Sequence, residues 1–406
     1  MLFPPTVIRH SRCEGHAENG TDANRSAATD TSGDRWFEST TTCDAIAHVV
    51  GDLYARGMRD ILHVDAWVAT ALGDPTKVLA RQRVNVRVPQ AGEVRVKVSA
   101  FCVNFNDTDI VRGRWSIVSL TPPFIPGMEA MGVVESAGPG SEYLIGKRIV
   151  GIPVGAHGGF AEYAVVDATS AMLIPSWLSD AQGAALHYPF HLGWFGLVER
   201  ARLQPGETVL VHAGAGGVGS AVIQLAKTLG ATVIATAGGP EKVAFCRELG
   251  ADLAIDYRQG GFAEAVVEAT YGAGVDIAFD TVGGSVTNET FRCMAMNGRV
   301  MLVGYAEDIT NDGAPLSPQP AIYGNFSLCG VCLAYTTDPL ATRLTTGLNW
   351  PSRSDGLDAH RRILELLRAG TVHTVVTSEI TFDDLPEAME RQERRETMGR
   401  TVVRMG

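Results

Sequence analysis

The hexapeptide Gly214-Ala215-Gly216-Gly217-Val218-Gly219 spaces three of its glycines as G-x-G-x-x-G. With 45 glycines in the chain such a string can arise by chance, so its context decides what it means. It follows the strand-like run TVLVHA (208–213) and opens the helical run SAVIQLAKTLG (220–230). In a strand–turn–helix unit the first glycine permits the tight turn. The second lets backbone approach a pyrophosphate, and the third allows close helix–strand packing. The helix N-terminus then offers free amides and a partial positive charge to phosphates. The chemistry that fits is the binding of a dinucleotide.

The end of the next strand, TVIATA (232–237), separates the two nicotinamide dinucleotides. A carboxylate there hydrogen-bonds the adenosine ribose of NAD. This chain has Thr236-Ala237-Gly238-Gly239 instead, and Lys242 follows in the next turn. Tyr257 and Arg258 come after the third strand. Losing an anion and gaining a cation suits a 2′-phosphate, so the expected cofactor is NADPH. Other reactive side chains are less organised. Cys329-x-x-Cys332 has no second pair and reads as core thiols on a buried strand. His187 and His191 have i, i+4 spacing, yet HYPFH lacks the glutamate of a metalloprotease helix. Both read as packing or pocket-lining residues.

These residues need a scaffold. Beyond about Gln182, apolar strand-like runs alternate with helical ones: ADLAID (251–256), VDIAFD (275–280), RVMLVG (299–304) and FSLCGVCLAY (326–335) are the later strands. Val218, Val222, Leu225 and Leu229 fall on one helical face, and Gly230 supplies a left-handed stop. Such alternation implies a parallel sheet covered on both faces. Before it, from Ala66 to about residue 175, the texture is all-β and punctuated by turns. VRVKVSAFCV (94–103) alternates like a half-buried strand, and the region suggests a compact, partly barrelled domain. After Asp358 a helix, HRRILELLRAG, and a terminal strand, GRTVVRM, are expected to rejoin that domain and leave a cleft. The expected divisions are therefore 63–186, 187–336 and 337–406. Residues 1–62 are rich in Ser, Thr, Asp, Asn and Gly, and read as a disordered N-terminal extension.

Composition excludes several functions. A net charge of −11 disfavours nucleic acid and anionic membrane as partners. No run approaches the roughly 20 apolar residues of a membrane span, and the N-terminus lacks a signal-peptide core. Seven scattered cysteines fit a reduced compartment, so a cytoplasmic protein acting on a small molecule is expected.

Five motifs carry a family resemblance over residues 66–406: AGAGGVGSAVIQLAKTLGA (213–231), VNFNDTDIVRG (103–113), PGMEAMGVV (126–134), GGFAEYAVV (158–166) and DTVGG (280–284). Together they resemble the quinone-oxidoreductase, zeta-crystallin-like branch of the medium-chain dehydrogenase/reductase superfamily, whose zinc is lost. The resemblance implies an α/β protein, with a Rossmann doubly wound parallel sheet plus a β-rich GroES-like catalytic domain. It implies pyrophosphate contacts from Gly216, Gly217 and Val218, within the turn bounded by Gly214 and Gly219. It places Lys242 and Tyr257 near the 2′-phosphate beside Gly238. Val303-Gly304-Tyr305 would lie beside the nicotinamide with Thr281 of DTVGG. It also implies a homodimer, through pairing of FSLCGVCLAY.

Zinc-dependent relatives have Cys where this chain has Asn104 and His where it has Met128, so no metal is expected. Asn104 and Asp107 match positions near the nicotinamide and substrate. An amide can donate to a developing enolate or quinol oxygen. Asp107 could orient groups or relay a proton, or cap a helix. Relatives often carry Tyr where this chain has Asp109, and Thr where it has Leu192. Phe105, Trp115 and Tyr188 read first as core packing, with an aromatic pocket as the alternative. Without a Lewis acid, hydride delivery favours substrates already polarised: quinones and α,β-unsaturated carbonyls. An enoyl-thioester reductase and a non-catalytic NADPH-binding protein remain the competing expectations.

Overall fold

The computed structural model describes residues 62–115, 118–311 and 315–406, so the expected extension lies outside the described residues except for Leu62. Strands β1 (Leu62–Ala69) and β2 (Leu79–Val86) form an antiparallel pair. β3 (Glu93–Cys102), β4 (Ala130–Ala137), β5 (Arg148–Gly151), β6 (Tyr163–Asp167) and β7 (Met172–Leu173) pair antiparallel around β3 and β4.

The sequence implied that β3 is half-buried; seven of its ten residues are buried, with Lys97 exposed and Glu93 and Ser99 between. A register shift between Val98 and Ala100 explains this. Before the shift Val94, Val96 and Val98 face the core of the β-rich half, with Phe101 and Phe160. After it Ala100 and Cys102 join the cluster that continues into the other half. One bulge therefore serves two cores and delivers the chain to helix α1 (Phe105–Arg112), with Asn104 at its N-cap. Each large apolar side chain fully buried in this way contributes roughly 1.5–3 kcal/mol relative to exposure.

The second half begins after helix α2 (His187–Trp194). Strands β8 (Thr208–Val211), β9 (Thr232–Ala237), β10 (Leu253–Asp256), β11 (Val275–Asp280), β12 (Met294–Leu302) and β13 (Ser327–Gly330) make one parallel sheet. Its order, β10-β9-β8-β11-β12-β13, is the 3-2-1-4-5-6 order of a doubly wound dinucleotide-binding sheet. Helices α3 (Gly217–Thr228), α4 (Pro240–Glu248), α5 (Phe262–Ala269) and α6 (Gly284–Thr290) connect the strands. Along β8, Val209 and Val211 enter one core while Leu210 enters the other, so both faces are covered.

FSLCGVCLAY is shorter as a strand than its composition suggests. β12 ends at Leu302, whose carbonyl accepts from the Val331 amide (2.9 Å), and the chain then turns towards β11, so no strand remains for Cys332–Tyr335 to pair with. Cys332 is exposed and Cys329 half-buried, so they are not the two core thiols expected. Helix α7 (Arg353–Arg368) leads to β14 (Val376–Thr381) and β15 (Arg400–Arg404). β15 pairs antiparallel with β3, Val402 opposite Cys102, which returns the C-terminus to the first sheet. Among the described residues no helix is long and apolar enough to cross a membrane.

Candidate active site

The expected cofactor residues all sit at the carboxyl ends of the parallel strands. Gly214–Gly219 follow β8, Gly238 follows β9, Tyr257 follows β10, Thr281 follows β11 and Val303–Tyr305 follow β12. This edge, at the switch in strand order, is where such sheets bind ligands.

The turn after β8 works differently in detail from the motif reading. Its left-handed residue is Ala213, φ 48°, not Gly214. Gly214 is needed for packing instead: a Cβ there would lie 3.0 Å from both Ala235 Cβ and Cys246 Sγ. Gly219 has the packing role assigned to it, since a Cβ would meet the Ala213 carbonyl oxygen at 2.3 Å. The Gly216 amide donates to that same oxygen (2.8 Å), so it is already used. The amides of Gly217, Val218 and Gly219, in the first turn of α3, have no intrahelical acceptor and remain for an anion.

The residues expected at the 2′-phosphate converge. The Tyr257 hydroxyl and the Arg258 guanidinium hang over Gly238, where a Cβ would come within 2.7 Å of the hydroxyl. Lys242 donates one hydrogen bond to the Arg395 carbonyl (2.5 Å). Burial first, then the positive fields of Arg258 and Arg395, push the Lys242 ammonium down from its usual range. Three cations brought together suit a phosphate, although Glu241 acts on Lys242 and Asp256 accepts from the Gly239 and Arg258 amides at the same edge. Arg395 has no sequence signal of its own; the fold brings it here from the C-terminal segment.

Thr281 and Val303–Tyr305 form a separate bonded set. The Val303 amide donates to Asp280 O (2.9 Å), and the Ala306 amide donates to Thr281 O (3.2 Å). A Cβ on Gly304 would stand 3.2 Å from Thr281 O, so the two loops lie against each other. No hydrogen bond joins this set to Asn104 among the described residues.

Asn104 belongs to a buried polar cluster that the sequence did not reveal. The Arg400 guanidinium donates through one nitrogen to Asn104 Oδ1 (2.9 Å) and to Glu129 Oε2 (3.0 Å). The other Glu129 oxygen, Oε1, lies 3.3 Å from His187 Nδ1 and accepts from the Tyr188 amide (3.1 Å). Burial pushes the Glu129 carboxyl up, but His187 and Arg400 more than offset this and hold it below the usual carboxylate range. Arg400 also packs on the glycine turn: a Cβ on Gly217 would lie 2.6 Å from its Cδ. The Gly399 amide donates to Ala215 O at 2.8 Å. A single side chain therefore spans from the dinucleotide turn to Asn104.

Asp107 is placed as a cap. It is fully buried and accepts from the Asn104 amide (2.9 Å) and the Met128 amide (2.8 Å). Burial pushes its carboxyl up to about 7 against those two hydrogen bonds. It fixes Asn104 and the Met128 loop, and its two oxygens are directed at backbone, not at the cleft. Asp109 is turned aside as well, 2.7 Å from Arg114.

Behind the cluster, His191 and His360 form a directional chain. The Leu173 carbonyl can only accept, so His360 Nε2 carries the hydrogen (2.8 Å) and its Nδ1 accepts from His191 Nε2 (3.0 Å). His191 Nδ1 then accepts from the Tyr335 hydroxyl (2.7 Å). Both imidazoles are neutral in this arrangement, and burial lowers both: His360 to about 4 and His191 well below its ordinary value.

Zinc does not fit here. At the positions where relatives place two of its ligands, Asn104 faces the Arg400 cation and Met128 offers a thioether. Among the described residues no group of three His, Cys, Asp or Glu side chains could hold a metal ion.

Comparison with known proteins adds to this geometry. Residues 90–176 match the alcohol dehydrogenase GroES-like domain, and residues 217–345 match the zinc-binding dehydrogenase family. A quinone oxidoreductase-like protein 2 homolog from Nematostella vectensis is 31% identical over 318 residues, covering 77% of this chain and 81% of that protein. A mycocerosic acid synthase-like polyketide synthase from Mycobacterium tuberculosis is 35% identical over 231 residues. That match covers 57% of this chain but only 11% of the synthase. Among solved structures, mycobacterial Rv1454c complexed with NADPH superposes with a TM-score of 0.73 at 28% identity, covering 84% of this chain and 100% of that one.

Proposed function

The chain belongs to the quinone oxidoreductase branch of the medium-chain dehydrogenase/reductase superfamily, and on that premise we propose that it is an NADPH-dependent, metal-independent reductase of quinones or α,β-unsaturated carbonyls. The observation that carries the reading is the Arg400 side chain, which packs on Gly217 of the turn after β8 and bonds Asn104, the residue that would meet the substrate.

NADPH, when bound, supplies the hydride. The amides of Gly217 and Val218 would hold its pyrophosphate, and Lys242, Tyr257, Arg258 and Arg395 its 2′-phosphate. The NADPH-bound mycobacterial neighbour supports that cofactor. The loop Val303–Tyr305 and Thr281 would flank the nicotinamide. Asn104 is held rigidly: its Oδ1 is engaged by Arg400, and its amide group also hydrogen-bonds the Glu129 and Asp107 carboxylates and lies 3.5 Å from Cys102 O. Its Nδ2 would give up one of these contacts to donate to a carbonyl oxygen as negative charge develops on it. Quinones and enones are already polarised, so orientation by these groups suffices without a Lewis acid.

The test is NADPH oxidation, followed by absorbance, against benzoquinone, cyclic enones and a crotonyl thioester, with NADH in parallel and a metal chelator present. Turnover with NADPH on quinone or enone is expected. Stoichiometric zinc required for turnover contradicts the proposal, as does preference for NADH. A second reading, an enoyl-thioester reductase, is favoured by the likeness to the polyketide synthase. Fastest turnover on the crotonyl thioester would select it. The exposed edge of β13 supports pairing of two copies as a cytoplasmic homodimer, which sedimentation equilibrium tests.

A further inference from the structure

The two oxygens of Glu129 serve different sides of the buried cluster. Oε2 accepts from Arg400 (3.0 Å), the side chain that also bonds Asn104. Oε1 faces helix α2, where it lies 3.3 Å from His187 Nδ1 and accepts from the Tyr188 amide (3.1 Å). The directions of these bonds follow from what each group can do. A guanidinium only donates, so the Asn104 atom 2.9 Å from Arg400 is the oxygen, and Nδ2 is the atom left to donate elsewhere. Burial opposes the charge on Glu129, but His187 and Arg400 outweigh it and keep the carboxyl below its usual range. An ionised carboxylate only accepts, so His187 Nδ1 carries the hydrogen between them. His187 is committed to this one bond. It is fully buried, and its Nε2 has no partner among the described residues. Its ring packs against that of His191, one turn along α2, with centroids 4.8 Å apart. His191 is itself held at both nitrogens, by the Tyr335 hydroxyl (2.7 Å) and by His360 (3.0 Å), and His360 is anchored to the Leu173 carbonyl (2.8 Å). The imidazole that grips Glu129 therefore leans on a ring that cannot turn.

We propose that His187 is a positioning residue for the reduction: its Nδ1 hydrogen holds Glu129 in the orientation that fixes Arg400 and turns the Asn104 amide for the substrate carbonyl oxygen. This rests on the reductase reading above. His187 touches neither substrate nor cofactor in this scheme; it acts through Glu129 and Arg400. A donor that stabilises developing charge has to be held within about 0.5 Å of its productive place, by neighbours that are themselves locked. The series from the Leu173 carbonyl through His360, His191 and His187 to Glu129 provides that support from the side opposite Asn104. When the imidazole is removed the Tyr188 amide still holds Oε1, so the loss is partial. The charge on the substrate oxygen develops only after binding, so the effect falls on kcat and not on KM. Quinone and enone both place a carbonyl oxygen at Asn104, so both should feel it.

The test compares wild type with His187→Phe and His187→Asn, using 2-methylcyclohex-2-enone and benzoquinone as substrates. Phenylalanine keeps an aromatic ring against His191 but brings no hydrogen to Glu129. Asparagine loses the ring, yet its Nδ2 takes the place of the imidazole Nδ1. His187→Phe should lose about tenfold in kcat on both substrates, with KM and NADPH affinity within about twofold of wild type. His187→Asn should recover to within about threefold of the wild-type kcat, which a role in packing alone would not allow. In wild type labelled with 15N at histidine, the His187 Nδ1 resonance should be that of a nitrogen bearing a hydrogen, a measurement that needs no folded variant. Unchanged kcat in His187→Phe overturns the proposal, and so does an equal loss in His187→Asn. A loss that falls on KM or NADPH affinity instead of kcat overturns it too, as does a bare Nδ1 in the wild type. A wild type that oxidises NADPH with neither substrate instead overturns the reductase reading itself, so the two failures are told apart.

Discussion

The dinucleotide turn and the cluster around Asn104 are built by opposite means. The turn is local: one strand, six residues and one helix, with function residing in backbone amides and in the absence of side chains at Gly214, Gly217 and Gly219. The cluster is assembled from side chains far apart in sequence, Asn104 and Arg400 being 296 positions apart and Glu129 and His187 58 apart. A backbone device tolerates variation around it but not a Cβ within it. A side-chain cluster tolerates neither loss of a partner nor exposure to bulk water, because each buried charge depends on the next.

That contrast can be broken experimentally, and the largest effect is expected at the residue shared by both regions. Arg400→Met leaves the Glu129 carboxylate buried without its cation and should cost about 3–5 kcal/mol in urea unfolding. NADPH affinity should fall with it. A loss below 1 kcal/mol would mean that Glu129 simply takes up a proton and the two regions are independent. Next comes Lys242→Ala, which should weaken NADPH by about 10–100-fold, or about 1.4–2.7 kcal/mol, and NADH by less than twofold in fluorescence titrations. Equal losses would detach this residue from the 2′-phosphate. Tyr335→Phe removes the donor at the head of the imidazole chain, leaves His191 Nδ1 unsatisfied and should cost about 1–2 kcal/mol in thermal unfolding.

The smallest effect is a slope. Asp107 has its folded-state value raised to about 7 from an ordinary 3.8, so between those values the native chain keeps a proton that the unfolded chain has lost. Stability from this group is present at low pH and is lost as pH rises through about 7. The melting temperature of wild type relative to Asp107→Asn should therefore decline by a few degrees from pH 5 to pH 8. A flat or rising difference would show that Asp107 is ionised throughout.

The sequence made the local device legible and the distributed one hardly at all. Strand, glycine spacing and amphipathic helix lie within 208–230, and the missing carboxylate at Thr236–Gly239 is a short-range fact. Even so, the division of labour among the glycines was visible only in space: Ala213 makes the bend and Gly214 does not. Glu129 lies within the motif PGMEAMGVV (126–134), where nothing in its neighbours names a partner for it. A lone carboxylate in an apolar run has to find a cation when it is buried. Arg400 carries the matching signal, a charge opening the apolar terminal strand RTVVR. The two signals are each weak, and only the pairing of β15 with β3 shows that they belong together. The same long-range order explains the shortened β13: strand composition cannot show that β12 ends at Leu302 and leaves Cys332–Tyr335 without a strand to pair with. Asn104 and Asp107 stand three positions apart and share a capping box, yet they differ in role: Asn104 is bonded to Arg400, while Asp107 accepts from the Asn104 and Met128 amides.

The most direct test of the central claim is a crystal structure of the chain with NADPH. The account predicts the pyrophosphate on the amides of Gly217 and Val218, the 2′-phosphate among Lys242, Arg258 and Arg395, and the nicotinamide ring facing Asn104 with no metal ion between them. A dinucleotide bound elsewhere, or a nicotinamide directed away from Asn104, would contradict it.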